Sequence, residues 1–407
     1  MNTPFQHLMN EAARLTRGGG LQDATAAIQA ALGGMGNLGA MGMPLAPNAE
    51  TTAATTSEEG TAAGNVIDVV ARDVTAPDGS NEASASASTA SSTSPSPSPA
   101  GQFVAGRYTD AAGNRDYKLY IPPMAGAAGA GPLALVVMLH GCTQNPDDFA
   151  AGTEMNDAAL AQGFFVLYPE QSLQMNPQRC WNWFKHNHQQ RGRGEPALLA
   201  GMARSVMASH AIDPRRVYVA GLSAGGAMAA ILGDTYPDLF AAVGVHSGLA
   251  AGSASNLPSA LSAMHNGGMD YGQAASGMPT IVFHGDADAT VNPVNGDQVI
   301  NASTGDNATV EQQKRPAATA SATPDGLPRT AEAAKSAAAG RTSTLRLYRA
   351  ASGQVVAEHW LVHGAPHAWA GGNSKGSYTD SRGPDATAEM LRFFFEHPHA
   401  AASKTAQ

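Results

Sequence analysis

Apolar positions along this chain cluster in two ways, and the alternation between them predicts the architecture. Short runs rich in β-branched residues read as strands at 115–121, 133–139, 164–168, 217–220, 242–246, 280–284, 344–348 and 355–362. The longest strongly apolar run, 133–139, is strand-sized. Stretches with helical character fall between several of them, at 147–162, 197–210, 224–235 and 386–396. Strands alternating with helices predict an α/β fold, a mostly parallel sheet with helices on both faces. Reactive groups in such a sheet collect at the carboxyl ends of the strands.

The pattern changes outside this region. Residues 1–32 read as a short helical hairpin, with Phe5, Leu8, Met9, Ala12 and Leu15 on one face. Gly18, Gly19 and Gly20 interrupt it, and Leu21, Ala24, Ile28 and Leu32 resume it. A unit this small needs a surface to dock on: its own domain, a second subunit, or an apolar surface. Residues 33–105 are Gly/Met/Ala-rich and then Ser/Thr/Ala-rich, ending in alternating Ser and Pro, which predicts a disordered linker. The ordered domain is expected over 106–397, with a flexible insertion at about 303–340 and a tail at 398–407.

Composition narrows the function classes. The 407 residues include 43% hydrophobic ones, enough for a sizeable core. The net charge of −9, from 24 basic and 33 acidic residues, and the lack of a dense basic run argue against a nucleic-acid partner. No apolar run approaches the ~20 residues of a membrane span. The start, Met1-Asn2-Thr3-Pro4-Phe5, lacks the basic and apolar blocks of a secretory signal, so by this sign alone the chain reads as cytoplasmic. Two cysteines, Cys142 and Cys180, make no metal cluster and at most one disulfide.

Candidate chemistry sits at the predicted strand ends. Gly221-Leu222-Ser223-Ala224-Gly225 follows a strand-like run and opens a helical one. A strand that reverses into a helix so abruptly strains the serine and leaves room only for glycine two places either side. The turn exposes the hydroxyl and aims the Ala224 amide at whatever Ser223 attacks. Another sharp turn, His140-Gly141-Cys142, frees the Cys142 amide, and the two amides form a candidate oxyanion hole. Asp288 and Asp286 both follow the run at 280–284, with Asp288 favoured as the acid because it lies in the turn before Val291. His367, in a Gly- and Pro-containing loop after 355–362, is favoured over His363 as the base. The order Ser223, Asp288, His367 is that of the α/β-hydrolase sheet.

Five motifs carry a family likeness: His-Gly-Cys-Thr-Gln at 140–144, Arg-Cys-Trp-Asn-Trp-Phe at 179–184, Gly-Leu-Ser-Ala-Gly-Gly at 221–226, His-Gly-Asp-Ala-Asp-Ala-Thr-Val at 284–291 and Gly-Ala-Pro-His-Ala-Trp at 364–369. Over roughly 106–300 and 341–397 the chain resembles the esterase, poly(3-hydroxybutyrate) depolymerase family. The resemblance implies an α/β-hydrolase fold and a serine esterase acting on polyester, aryl or acetyl esters without metal or organic cofactor. It implies Ser223 as nucleophile, Asp288 as acid and His367 as base. It also suggests an aromatic substrate wall at Trp181 and Trp183, with Trp369 beside the base. A Cys142–Cys180 disulfide would pin the oxyanion loop to that wall; two buried thiols are the alternative. Many family members are secreted, whereas no export signal is seen here. The favoured substrate is a poly(3-hydroxyalkanoate) or its oligomers. The alternatives are a feruloyl- or acetylxylan-type esterase, or a granule-binding protein whose hydrolase domain is inert.

Overall fold

The computed structural model describes residues 100–400 apart from 112, 128, 130, 269–274, 306–307 and 318–339. The chain divides into Met1–Pro97 and Ser98–Gln407, and the described residues all lie in the second unit. The expected N-terminal hairpin, most of the expected linker and the end of the tail lie outside the described residues.

The eight apolar runs are strands of one ten-stranded sheet, which two further edge strands complete. They are β1 (Gln102–Asp110), β2 (Gly113–Ile121), β3 (Leu133–Leu139), β4 (Phe164–Pro169), β5 (Ile212–Leu222), β6 (Ala242–His246), β7 (Thr280–Gly285), β8 (Thr309–Arg315), β9 (Ser343–Arg349) and β10 (Val355–Val362). Their spatial order is β1-β2-β4-β3-β5-β6-β7-β10-β9-β8. The central strands β4, β3, β5, β6, β7 and β10 are parallel. The outer pairs, β1 with β2 and β8 with β9, add antiparallel edges. Two short strands, β11 (Trp369–Ala370) and β12 (Thr379–Asp380), pair separately.

Seven helices cover the sheet: α1 (Pro146–Thr153), α2 (Met155–Gln162), α3 (Gly194–Ser209), α4 (Ala224–Thr235), α5 (Leu257–Asn266), α6 (Val294–Thr304) and α7 (Ala386–Glu396), counted among the described residues. Strand periodicity explains the unbroken apolar run of β3. Leu135, Val137 and Leu139 pack on one face with α3, α4 and α6 residues such as Leu199, Met228 and Ile300. Ala134, Val136 and Met138 pack on the other with Met155, Met390 and Phe394 of α2 and α7. Both faces are therefore core, and each fully buried large apolar side chain stabilises the fold by roughly 1.5–3 kcal/mol. This is the α/β-hydrolase architecture.

Three boundaries differ from expectation. The helix expected over 147–162 is two helices, because Glu154 takes a left-handed conformation (φ 53°). Two carbonyls that would continue it are used elsewhere: Gly152 accepts from the Asn373 amide and Thr153 from the Thr387 hydroxyl. The linker expected to reach residue 105 stops earlier, since β1 starts at Gln102. The insertion expected from residue 303 begins inside α6, and β8 then joins the sheet edge beside β9. Both edge strands present mostly exposed residues, so neither shows the apolar run that marked the central strands.

Candidate active site

Ser223 stands between β5 and α4 at φ 58°, ψ −120°. Such a conformation costs a non-glycine residue on the order of 1–3 kcal/mol, so the surroundings must impose it. A methyl group on Gly225 would overlap the Leu139 carbonyl oxygen, and one on Gly221 would overlap the Gly225 backbone. The turn is thus pressed against the end of β3 by two positions that admit only glycine. The Ser223 amide donates to the His246 carbonyl at 2.8 Å. Ala224 begins α4, where an amide has no intrahelical acceptor and lies at the positive end of the helix dipole.

Across the top of β3, the loop 140–144 is held at nearly every other polar group. The Gly141 amide donates to Gln144 Oε1 at 2.9 Å, and the Thr143 amide donates to the Gln178 carbonyl at 2.6 Å. No hydrogen bond engages the Cys142 amide between them among the described residues. The His140 carbonyl accepts from the Trp181 indole at 3.1 Å, and His140 Nε2 accepts from the Gln171 amide at 3.1 Å. Burial pushes the His140 imidazole down to about 4, so it stays neutral and its Nδ1–H donates to the Gly141 carbonyl at 2.7 Å. The disulfide anticipated from the family resemblance is present between Cys142 and Cys180.

The competing acids and bases sort into two pairs. Asp288, after β7, receives His367 Nδ1 on Oδ2 at 2.7 Å, while its Oδ1 accepts the amides of Thr290 at 2.8 Å and Val291 at 2.9 Å. Burial alone would raise the Asp288 carboxyl, but the imidazoles of His367 and His284 and the Val291 amide outweigh it and hold the group below its ordinary value. Asp286 instead receives His363 Nδ1 at 2.8 Å and the Gly364 amide at 2.6 Å. His363 Nε2 lies 2.9 Å from the Thr344 hydroxyl, so this half-exposed pair fastens the start of the His367 loop to the sheet.

His246 links the serine turn to the histidine loop. Its carbonyl takes the Ser223 amide, and its Nε2 accepts the Ala370 amide, three residues beyond His367, at 2.9 Å. Burial, reinforced by the nearby His284 and His367 rings, pushes this imidazole down to about 3. β5, β6, β7 and β10 are successive neighbours running in one direction. Ser223, His246, Asp288 and His367 therefore all lie at or just beyond the carboxyl ends of adjacent strands.

The three tryptophans expected to face substrate are enclosed. Trp181 is 0% exposed, Trp369 1% and Trp183 5%. The Trp181 indole is spent on His140, and the Trp369 indole donates to the Thr387 hydroxyl while its ring stacks on His246. Their packing holds the loops that carry Cys142 and His367, and leaves little ring surface for a wall.

Sequence reasoning missed Glu195. This buried carboxylate at the start of α3 accepts the Asn182 amide and the Asn182 side chain, both at 2.7 Å, and the Gln171 side chain. Arg115 lies 3.5 Å away. Burial would raise the group, but His188, Gln171 and Asn182 outweigh it and keep it below the ordinary value. It thereby anchors the Cys180–Trp183 segment that the disulfide ties to the loop 140–144. Its partners are scattered from 115 to 188, so no local motif could reveal it. His246, by contrast, carried a readable signal as a polar residue ending an apolar strand.

No cluster of three or more His, Cys, Asp or Glu suited to a metal ion occurs among the described residues, and no described helix is long and apolar enough to cross a membrane.

Residues 115–319 match the family described as esterase PHB depolymerase. A poly(3-hydroxyalkanoate) depolymerase C of Paucimonas lemoignei is 36% identical over 180 residues, covering 41% of this chain and 43% of that protein. A feruloyl esterase B of Thermothelomyces thermophilus is 34% identical over 127 residues, covering 31% of this chain and 43% of that protein. The chain thus spans less than half the length of either curated relative. An acetyl xylan esterase from Aspergillus awamori superposes with a TM-score of 0.51 at 18% identity, over 72% of this chain and 99% of that one, and shares the fold.

Proposed function

Because the chain belongs to the esterase PHB depolymerase family, we propose that it hydrolyses carboxylic esters of a poly(3-hydroxyalkanoate) or its oligomers through Ser223, His367 and Asp288. His367 Nε2 takes the Ser223 proton as the hydroxyl oxygen attacks the ester carbonyl. The amides of Cys142 and Ala224 receive the negative charge on the carbonyl oxygen, and each such donor contributes roughly 3 kcal/mol to lowering the barrier. His367 then returns the proton to the departing alcohol oxygen, leaving an acyl-Ser223 ester. Water, deprotonated by the same imidazole, cleaves that ester and releases the acid. Asp288 fixes the imidazole with its proton on Nδ1 and balances the imidazolium formed in each half-reaction.

The observation that supports this most is the 2.7 Å contact between Asp288 and His367, held from adjacent parallel strands at the same sheet end where Ser223 takes a strained strand-to-helix turn. A fluorophosphonate probe tests it. Wild type should label at Ser223 and Ser223→Ala should not, and labelling elsewhere would refute the assignment. The polyester substrate draws its support from the depolymerase relative.

The feruloyl esterase relative and an acetylxylan esterase relative support a second reading, a feruloyl or acetylxylan ester as substrate. Polyhydroxybutyrate film set against feruloyl and acetylated xylan esters separates the two. If residues 1–32 anchor the enzyme to polymer, their deletion lowers binding to polymer particles and leaves turnover of a short soluble ester unchanged.

A further inference from the structure

Asp288 meets a second imidazole besides His367. His284, near the end of β7, is completely enclosed. Its Nε2 lies 2.9 Å from the Val291 carbonyl oxygen and 3.5 Å from Asp288 Oδ2, the oxygen that also receives His367. A carbonyl only accepts, so Nε2 carries the proton and donates, which makes Nδ1 an acceptor. That Nδ1 has no hydrogen-bond partner among the described residues. Burial pushes the ring down to about 4, so it is neutral at ordinary pH and adds a donor without adding a charge.

Clearance around the ring is narrow. A methyl group on Gly296, in the first turn of α6, would lie 3.1 Å from His284 Nδ1 and 2.9 Å from His359 Nε2. His359, on β10, is likewise buried, and its Nδ1 faces Asp297 Oδ1 at 3.2 Å. Asp297 is half-exposed and paired with Arg346 at 2.8 Å. The ionisable groups around His284 are therefore Asp288 beneath it, His246 on β6, His359 on β10, His367 beyond β10, and the Asp297–Arg346 pair outside.

We propose that His284 is a positioning residue for Asp288: its Nε2–H, shared between the Val291 carbonyl and the carboxylate, holds Asp288 toward His367, and glycine at 296 keeps the space that ring needs. The proposal rests on the assignment of Asp288 and His367 given above. Oδ1 is fixed by two backbone amides, but Oδ2 would otherwise depend on His367 alone. His367 must realign between Ser223 and the leaving alcohol in each half-reaction. The His284 N–H dipole, 3.5 Å from Oδ2, keeps the buried carboxylate in place while it does so.

Three variants test this: His284→Leu removes the donor, His284→Gln keeps an N–H near the Nε2 position, and Gly296→Ala crowds the ring from a helix outside the reacting groups. With a short p-nitrophenyl ester, His284→Leu should lower kcat on the order of tenfold with KM little changed, the loss expected when an N–H dipole 3.5 Å from a buried charge is removed. It should also shift the low-field proton resonance of His367 Nδ1–H and the acid limb of the kcat/KM pH profile. His284→Gln should restore most of kcat. Gly296→Ala should show a smaller change of the same kind, although alanine is the better helix residue. The proposal is overturned if His284→Leu leaves kcat and the resonance unchanged, if Gln is as poor as Leu, or, should Leu not fold, if Gln and Gly296→Ala both leave the resonance and the pH profile at their wild-type values. Absence of Ser223-dependent hydrolysis in wild type would refute the proposed function instead, and the His367 resonance would still report whether His284 holds Asp288.

Discussion

Replacing Asp288 by asparagine probes the proposed chemistry through a single atom. The Thr290 and Val291 amides both donate to Oδ1, at 2.8 and 2.9 Å. They would hold the asparagine oxygen in that place and turn its NH2 toward His367 Nδ1. The NH2 can only donate, so Nδ1 must accept and the ring proton moves to Nε2. Nε2 is the atom that has to take the Ser223 proton, and it would then be occupied. The side chain changes little in shape and the fold should stay intact, so the loss should fall on kcat/KM. A wrong-tautomer imidazole lowers the rate by about four orders of magnitude, or roughly 5.4 kcal/mol of transition-state stabilisation. The assay is p-nitrophenyl butyrate hydrolysis over a pH series, with circular dichroism as the folding control. Asp286→Asn is the paired comparison, because Asp286 contacts His363 and not His367; it should change kcat/KM by no more than a few-fold. A folded Asp288→Asn enzyme within tenfold of wild type, or an equal loss in Asp286→Asn, would refute the reasoning.

The remaining expectations concern stability. Cys142 and Cys180 close a loop of 38 residues in sequence, and a cross-link of that span contributes about 4 kcal/mol in the chain-entropy account. The Cys142→Ala/Cys180→Ala protein should melt roughly 10 °C lower by calorimetry, and an unchanged Tm would contradict this. Gly225→Ala forces a methyl into the Leu139 carbonyl, whereas Gly131 has open space around it. The first should therefore lose more than about 3 kcal/mol in urea unfolding and the second almost nothing. Three buried imidazoles, at about 4 for His140 and His284 and about 3 for His246, resist protonation in the fold. The unfolded chain binds those protons near pH 6.5, so it holds more protons than the native state below that value. Stability should accordingly fall as pH drops from about 6.5 toward 4, by up to roughly 3 kcal/mol per ring. A flat Tm between pH 7 and 4.5 would contradict it.

The central sheet was legible because buried parallel strands must be apolar on both faces. The runs at 133–139, 242–246 and 355–362 coincide with β3, β6 and β10 to the residue. The edge strands β1 and β8 were not, since they are held by pairing and carry mostly exposed residues. At the strand ends, glycine and proline punctuation located Ser223, Asp288 and His367. Spacing left Asp286 and His363 as competitors, and only three-dimensional pairing separates the two dyads. The tryptophans mark the opposite limit. Their residue type suggested a substrate wall, but exposure depends on partners distant in sequence, such as His140 for Trp181 and Thr387 for Trp369. Glu195 was invisible for the same reason.

The most direct test of the account is intact-protein and peptide mass spectrometry after brief incubation with an activated 3-hydroxybutyrate ester, followed by acid quench. One acyl adduct per chain is expected, on Ser223, formed at the rate of the product burst and absent in Ser223→Ala. An adduct on another residue, or undiminished ester turnover in Ser223→Ala, would contradict it.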